Sequence, residues 1–268
     1  MTAESTAASP TRRRTLTALV AIPPFLAALY WDGGWWSGLL LAAALLAAWE
    51  WIGLARMVGL VPAAPVILLG TALIYGAAVY RSDLLLGAVG LLALGALAAQ
   101  LWAPARAQAI ANAGVTLLGP LYAALFAALD LLRRLPGDGL PWTLLVVLSV
   151  WAADSAAYFG GRSFGRRLLT PISPTKTWEG AWSGLLGGIG AALVVAAILR
   201  LPLGLAAGIG ALGGSVGLIG DLAESALKRA AGAKDSGGIL PGHGGVLDRF
   251  DALLFVAPVA YALLRGVR

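Results

Sequence analysis

Apolar stretches long enough to cross a lipid bilayer follow one another along this 268-residue chain almost without a break. A helix needs about 20 consecutive apolar residues to span the hydrocarbon core. Nine such spans are predicted, and they cover residues 15–31, 37–56, 62–80, 84–102, 110–132, 141–160, 180–199, 203–226 and 251–265. The sequence therefore predicts an all-α, polytopic integral membrane protein.

Composition agrees with a membrane protein and excludes several other classes. The mean hydropathy is +0.84, and only 12% of the residues are charged, too few to cover the surface of soluble domains. The alternating strands of a β-barrel are not found. The absence of cysteine excludes disulfides and thiolate metal sites. The net charge of +6 resides in short loops rather than on one soluble face, which argues against nucleic acid as a partner.

The distribution of lysine and arginine predicts which side of the membrane each loop faces. With the N-terminus in the cytoplasm, nine spans place 13 of the 19 basic residues on the cytoplasmic side. The two longest polar loops, residues 161–179 and 227–250, then share that side. We expect an active site there, facing the cytoplasm across the inner membrane.

The chain divides into three predicted regions. Residues 1–14 form a disordered cytoplasmic tail, residues 15–140 form N-terminal membrane helices, and residues 141–268 form the catalytic half. Residues 15–31 could also be a cleaved signal peptide. A true first span is preferred because Pro23 and Pro24 break its apolar core.

Glycine and tryptophan patterns are explained by the membrane. Gly208, Gly210 and Gly213 spell GxGxxG inside an apolar span with no preceding strand, so a dinucleotide fold is not indicated. Four-residue glycine spacings instead predict close helix packing and are compatible with a homodimer; they occur at Gly184–Gly188, Gly210–Gly214 and Gly213–Gly217. Tryptophans at span ends predict an interfacial belt: Trp31, Trp35, Trp36, Trp102 and Trp142.

Ionised side chains are concentrated in residues 225–251, which read SALKRAAGAKDSGGILPGHGGVLDRFD and include His243, the only histidine. Basic residues bind phosphate oxygens, glycines let backbone N–H groups approach an anion, and carboxylates hold the magnesium that accompanies a nucleotide. The alternative is a solvated interhelical loop. The mixture favours phosphate chemistry.

Carboxylates at membrane depth form a second group, namely Glu50, Asp154, Asp221 and Glu224. A lone carboxylate there costs on the order of 2.5–3.5 kcal/mol, so each is expected to face a polar cavity, the alternative being an ion pair or snorkelling. Helical periodicity places Asp221, Glu224, Ser225 and Lys228 on one face. It likewise aligns Asp154, Tyr158 and Arg162.

A metal site is predicted from two aspartates that are distant in sequence. Asp248 and Asp251 lie one turn apart where the last span should begin. Bringing Asp248 together with Asp221 would make an oxygen-only site for a hard cation, and magnesium fits best.

The other polar loop carries a candidate phosphate site. Ser173, Thr175, Lys176 and Thr177 precede a span, so hydroxyls, an ammonium and helix N–H groups could converge on a phosphate. Helix capping is the alternative, because Ser or Thr followed by a glutamate, here Glu179, is common at helix starts.

The run from Ser225 to Asp251 resembles the signature of the phosphatidate cytidylyltransferases, the CDP-diacylglycerol synthases. Further landmarks resemble that family too: Asp154 with Tyr158, the turn at residues 160–165, the loop at 173–180, and Glu50 followed by Trp51. One departure is Thr175, where the family usually has a second lysine.

The resemblance implies transfer of a cytidylyl group from CTP to phosphatidate, with Mg²⁺ on Asp221 and Asp248 and a second cation such as K⁺. It implies a catalytic set of Lys228, Arg229, Lys234, Asp235, His243, Arg249 and Asp251, in which the basic residues clamp phosphates and His243 orients a phosphate or protonates diphosphate. It implies a substrate-binding set of Ser173, Lys176, Thr177, Glu179, Ser225, Gly244, Gly245, Asp154 and Tyr158.

Two other classes of membrane protein would use similar charged residues. A CTP-dependent kinase of polyprenol or phytol type would release CDP instead of diphosphate. A transporter of a phosphorylated solute would normally show two similar halves, whereas charge here is concentrated after residue 150.

Overall fold

The computed structural model of the protein describes residues 23–31, 34–103, 106–137, 139–239 and 244–267, and these are almost entirely helical. Helix α1 covers residues 23–31. The remaining helices are α2 (Gly34–Met57), α3 (Ala64–Tyr80), α4 (Leu85–Ala98), α5 (Ala109–Ala123), α6 (Ala127–Arg133), α7 (Gly139–Phe164), α8 (Trp178–Leu199), α9 (Leu203–Ala230) and α10 (Leu247–Val267). Short 3-10 turns extend α4 at both ends and join α5 to α6.

Within the described part of the chain, seven helical segments are long and apolar enough to cross a membrane. They are α2, α4 with its flanking turns, α5 continued into α6, and α7 to α10. The prediction of an all-helical, multi-pass membrane protein is confirmed. Helix α3, at 17 residues, is shorter than these segments. The predicted tail, residues 1–14, and the first half of the predicted first span lie outside the described residues.

The C-terminal half is built on helices α7, α8 and α9, which pack against one another, with α10 packed on α9. Helices α8 and α9 approach closely because glycines face each other at their crossing. A Cβ atom added to Gly188 would lie 2.6 Å from the carbonyl oxygen of Gly210, and one on Gly214 would lie 2.7 Å from the Leu185 nitrogen. The packing role predicted for these glycines is confirmed, and it joins helices within one chain.

The predicted tryptophan belt is only partly correct. Trp31, Trp35 and Trp102 are exposed at helix ends, as an interfacial belt requires. Trp36 and Trp142 are instead buried in the main hydrophobic core, where the Trp36 ring lies edge-on to Phe25 with 5.2 Å between ring centroids. The position of a residue along a span fixes its depth, whereas the direction of its side chain depends on neighbouring helices.

A buried hydrogen-bond network joins helices α2, α3 and α6 near the start of α2. Asp130, fully buried on α6, accepts hydrogen bonds from Tyr75 Oη at 2.8 Å and from Arg134 Nε at 2.8 Å. Arg134 also donates to Ser37 Oγ at 3.0 Å. This carboxylate is therefore fully compensated by its donors.

Candidate active site

The polar ends of α9 and α10 and the loop between them form the candidate site. The predicted loop, residues 227–250, is shorter in the structure, because α9 continues to Ala230 and α10 begins at Leu247. Lys228 and Arg229 therefore lie in the last turn of α9, and Asp248 lies in the first turn of α10. Helical geometry fixes these side chains more firmly than a loop would.

Lys228 is the cation that joins the two helices. Its Nζ atom donates to Asp248 Oδ1 at 2.6 Å and lies 2.7 Å from Glu224 Oε2. The predicted shared face of α9 is confirmed by this i,i+4 pair and by Ser225 Oγ, which donates to Asp221 Oδ1 at 3.4 Å. One ammonium thus compensates carboxylates from both α9 and α10.

Asp248 is held from its other side by the loop. Its Oδ2 atom accepts hydrogen bonds from the Ser236 nitrogen at 2.8 Å, from Ser236 Oγ at 2.9 Å and from the Gly245 nitrogen at 2.7 Å. Gly244 takes a left-handed φ of +83°, and a Cβ atom there would lie 2.6 Å from Asp248 Oδ2. The glycine pair therefore closes the backbone over a carboxylate of the protein itself, so the Gly245 N–H is not directed at a phosphate.

One ion pair joins the loop before α8 to helix α9. Lys176, in the loop before α8, contacts Asp221 on α9 through Nζ and Oδ2. The residues are 45 positions apart in sequence, and both side chains are about three-quarters buried. A lysine of the loop before α8 and a carboxylate of α9 are thus brought together at one place.

A cavity of about 350 Å³ opens beside Lys176. Its polar wall includes the predicted face of α7, since Asp154, Tyr158 and Arg162 all line it, and Arg162 donates to Tyr158 Oη at 3.2 Å. Alanine and leucine side chains, including Leu218, form the remaining wall. The cavity is therefore lined by both polar and apolar side chains, which suits a ligand that has a charged group and an apolar part.

The start of α8 shows the helix-capping alternative for Thr177, one of the predicted phosphate ligands. Thr177 is the N-cap, and its Oγ1 accepts a hydrogen bond from the Gly180 nitrogen at 3.1 Å. Glu179 Oε2 accepts from the backbone nitrogens of Arg166 at 3.0 Å and Arg167 at 3.3 Å. These contacts hold the loop in place, and Lys176 and Thr175 of the same loop face the cavity.

The remaining predicted residues lie around this centre. Arg229 donates to the Ala233 carbonyl at 3.3 Å, and Lys234, Asp235 and Arg249 are exposed. Asp251 Oδ1 accepts a hydrogen bond from the Ala252 nitrogen at 2.8 Å, in the first turns of α10. Ser173 accepts a hydrogen bond from the Lys176 nitrogen through its carbonyl oxygen. His243 lies outside the described residues.

Carboxylates outnumber cations at the site: Asp154, Asp221, Glu224, Asp248 and Asp251 gather with Lys176, Lys228 and Arg249. Both carboxylate oxygens of Glu224 are buried; Oε2 lies 2.7 Å from Lys228 Nζ, whereas Oε1 has no hydrogen-bond partner among the described residues. Asp221 and Asp248 pair with different lysines, and no three potential ligands among the described residues are arranged to hold a metal unaided. Mg²⁺ commonly uses one or two carboxylates and completes its shell with substrate phosphates and water. The oxygen donors here suit that mode of binding.

Two contributors were not identified as site residues from the sequence. Ser236 bridges Asp248 and Glu50, and Glu50 itself contacts the start of α10. Nothing in the local sequence around Ser236 distinguishes it from a loop serine. Glu50 was singled out as a carboxylate at membrane depth, but its partners at the start of α10 lie 196 and 197 positions away.

Comparison with known proteins covers nearly the whole chain. A model of the Cytidylyltransferase family matches residues 12–267. The chain is 38% identical to a phosphatidate cytidylyltransferase of Pseudomonas aeruginosa over 94% of this chain and 96% of that protein. It is 34% identical to the protein of that name in Haemophilus influenzae, over 92% and 96% respectively. The Bacillus subtilis protein of that name is 48% identical over half of each chain.

Proposed function

The chain belongs to the cytidylyltransferase family and is a nucleotidyltransferase, and we propose that it transfers the cytidylyl group of CTP to phosphatidate. The products are CDP-diacylglycerol and diphosphate. The observation that carries the proposal is the Lys176–Asp221 ion pair, which joins the loop before α8 to helix α9 beside a cavity lined by both polar and apolar side chains. A membrane lipid and a water-soluble nucleotide can meet only at such a boundary.

The reaction is a substitution at phosphorus. A phosphate oxygen of phosphatidate attacks the α-phosphorus of CTP, the new P–O bond forms, and the bond to the oxygen bridging the α- and β-phosphates breaks. The nucleophile is already anionic, so no strong base is required. The main barrier is repulsion among phosphates, and catalysis then depends on positioning and on positive charge.

Basic side chains of the site supply part of that charge. Lys176 and Lys228 each neutralise a carboxylate and can turn an ammonium toward phosphate oxygens. Arg229, Lys234 and Arg249 are exposed around them and extend the cationic rim. The predicted role of His243, to orient a phosphate or protonate diphosphate, belongs to this proposal.

Asp221 and Asp248 would hold Mg²⁺, with Asp251 close by. When bound, the ion neutralises charge on the α-phosphate and on the departing diphosphate. Glu224 shares its one lysine with Asp248, and its Oε1 atom has no hydrogen-bond partner among the described residues, so a further cation such as K⁺ would offset the remaining negative charge. Asparagine at either aspartate keeps the side-chain volume and removes the charge that competes with water for the metal.

The lipid phosphate would bind in the cavity beside α7. Arg162 and Tyr158 lie on its polar wall, where they can bind the phosphate of phosphatidate, while the apolar wall accommodates the start of the acyl chains. The proposal includes nine spans, a cytoplasmic N-terminus and an active site facing the cytoplasm across the inner membrane. A homodimer is also proposed, although the glycines at the crossing of α8 and α9 are already used within one chain.

The function is tested with purified protein, phosphatidate and CTP radiolabelled at either the α- or the γ-position. Label from the α-position should enter the lipid fraction, with one diphosphate released per lipid product. Transfer of the γ-label to lipid would identify a kinase. A protein that transfers neither label is not a phosphatidate cytidylyltransferase, and uptake of unmodified solute would then support a transporter.

A further inference from the structure

Glu50 contacts the loop that holds Asp248, although it lies in the N-terminal half of the chain. It sits near the end of α2, and only 4% of its surface is exposed. Within the described residues it forms no ion pair with lysine or arginine, which is unusual for a buried carboxylate. Its negative charge is instead met by hydrogen-bond donors at the start of α10.

Three donors from the loop and from α10 converge on this carboxylate. Oε1 accepts from the Val246 nitrogen at 2.8 Å, and Oε2 accepts from the Leu247 nitrogen at 2.9 Å and from Ser236 Oγ at 3.1 Å. The first N–H groups of a helix have no partner within the helix, and the helix dipole favours negative charge there. Glu50 thus caps α10 from another helix.

Ser236 links Glu50 to Asp248. Its hydroxyl lies within hydrogen-bonding distance of Glu50 Oε2 and of Asp248 Oδ2, at 3.1 and 2.9 Å. A hydroxyl has a single proton, so it donates to one carboxylate at a time. Its backbone nitrogen also donates to Asp248. The position of Ser236, and with it two of the contacts of Asp248, therefore depends on Glu50.

The backbone packs against Glu50 so closely that glycine is required. A Cβ atom on Gly237 would lie 2.8 Å from Glu50 Oε1, and one on Gly245 would lie 2.5 Å from the same oxygen. Gly245 is also the residue whose nitrogen donates to Asp248. The Glu50 carboxylate consequently lies against the loop at Gly237 and again at Gly245, just before α10 begins.

We propose that Glu50 is a positioning residue for cytidylyl transfer, one that sets the place of the Asp248 carboxylate by fixing Ser236 and the first turn of α10. The inference rests on the proposed function, since it assigns Asp248 to the reacting centre. Glu50 does not touch the substrates in this assignment. It acts through the geometry of the loop, and the N-terminal helices thereby take part in catalysis.

The test variant is Glu50→Gln, which keeps the side-chain volume but replaces one acceptor oxygen with an NH₂ group that faces N–H or O–H donors. We expect kcat to fall about 10- to 100-fold, as when a group that orients a site ligand is lost. The KM for phosphatidate should change little, because the lipid cavity lies beside α7. Hydrogen–deuterium exchange should become faster in residues 236–239 and 244–248 and stay unchanged in α7 and α8.

The matched control is Asp130→Asn, another buried carboxylate, which lies in the network near the start of α2. It should lower the unfolding temperature while the folded fraction keeps its kcat and the exchange rates of the loop. If Glu50→Gln does not fold, Ser236→Ala tests the same link. This variant should lower kcat and speed exchange of the Gly245 and Asp248 amides.

Each outcome decides the inference separately from the proposed function. If the wild-type protein transfers no cytidylyl group, the proposed function fails first. If it does, unchanged kcat in Glu50→Gln, or a lowered kcat without faster exchange in the loop, overturns the positioning role. If the Asp130→Asn control loses as much kcat as Glu50→Gln does, the effect of Glu50 is explained by lower stability of the fold, and the positioning role is overturned.

Discussion

Lys228 is the side chain whose removal should disturb the site most, because it compensates two buried carboxylates. Its side chain is 12% exposed, while those of its partners Glu224 and Asp248 are 1% and 3% exposed. Replacement by methionine keeps the length and the apolar part of the side chain and removes only the charge and the donors. Two anions then face each other without the cation between them.

The loss of stability depends on the hydrogen-bond donors that remain to each carboxylate after Lys228 is replaced. Removing one partner of a buried ion pair typically costs about 3–5 kcal/mol. Asp248 keeps three hydrogen-bond donors from Ser236 and Gly245, whereas Glu224 has no other donor among the described residues. Most of the cost should therefore arise at Glu224, and we expect Lys228→Met to lower the free energy of unfolding by about 3 kcal/mol.

A second substitution separates stability from catalysis. Glu224→Gln in the Lys228→Met background removes the uncompensated charge and should restore most of the lost stability. It should not restore kcat, because in the proposed function Lys228 also supplies positive charge to the phosphates. Stability is measured by equilibrium unfolding in mixed detergent micelles with increasing SDS, followed by tryptophan fluorescence.

The stability control is Arg229→Met, since Arg229 is exposed and makes one 3.3 Å hydrogen bond to a carbonyl. Its effect on unfolding should stay within about 0.5 kcal/mol. The reasoning is refuted if Lys228→Met is no less stable than Arg229→Met. It is also refuted if the double variant regains both stability and kcat.

Lys176→Ala should raise the KM for CTP about 10-fold or more and the KM for phosphatidate less, because a hydrogen bond to a charged group is worth about 1.5–3 kcal/mol. Steady-state kinetics measure both constants. An unchanged KM for CTP would leave the loop only a structural role. Asp221→Asn and Asp248→Asn should each lower kcat about 100-fold or more, with little further loss in the double variant. Folded variants with near-native, Mg²⁺-dependent turnover would contradict the metal assignment. Single cysteines at Ser163 and Gly238 should react with a membrane-impermeant maleimide only from the cytoplasmic side, and labelling of either from the other side would rule out a shared nucleotide site.

Helix positions were predictable because hydrophobic length is set by the bilayer. Each predicted span from residue 37 onward corresponds to a helix or helical segment, with ends shifted by up to about four residues. The largest shifts lie at the site, where α9 continues to Ala230 and α10 starts at Leu247. Hydropathy falls where charged residues begin, but hydrogen bonding lets the helix continue past the apolar region. Lys228 and Asp248 consequently lie on helices instead of in the loop.

Side-chain faces were also predictable where they depend on one helix alone. The spacing of Asp154, Tyr158 and Arg162 placed them on one wall of the cavity, as the structure has them. The roles of Thr177 and Glu179 were not settled in this way, because a threonine before a helix can cap it or bind a phosphate, and the backbone partners of the glutamate lie in the segment after α7. Their hydrogen bonds to backbone nitrogens could be assigned only once the loop before α8 had a conformation.

Glu50 and Asp130 show why long-range partners decide the role of a buried charge. Both are carboxylates inside apolar helices, and both are buried. Asp130 meets Tyr75, 55 positions away, and Arg134 on the next turn, so its network closes within the N-terminal helices. Glu50 meets Leu247, 197 positions away. Neither set of partners can be identified from the apolar sequence around the carboxylate.

Helix α2 connects these two networks, since it carries Ser37 near its start and Glu50 near its end. At 1.5 Å per residue, the two positions are separated by about 20 Å along the helix axis. Ser37 accepts a hydrogen bond from Arg134, the partner of Asp130, while Glu50 contacts the loop that holds Asp248. The same helix therefore carries a structural anchor at one end and a contact with the loop around Asp248 at the other, and a substitution that tilts α2 should disturb both.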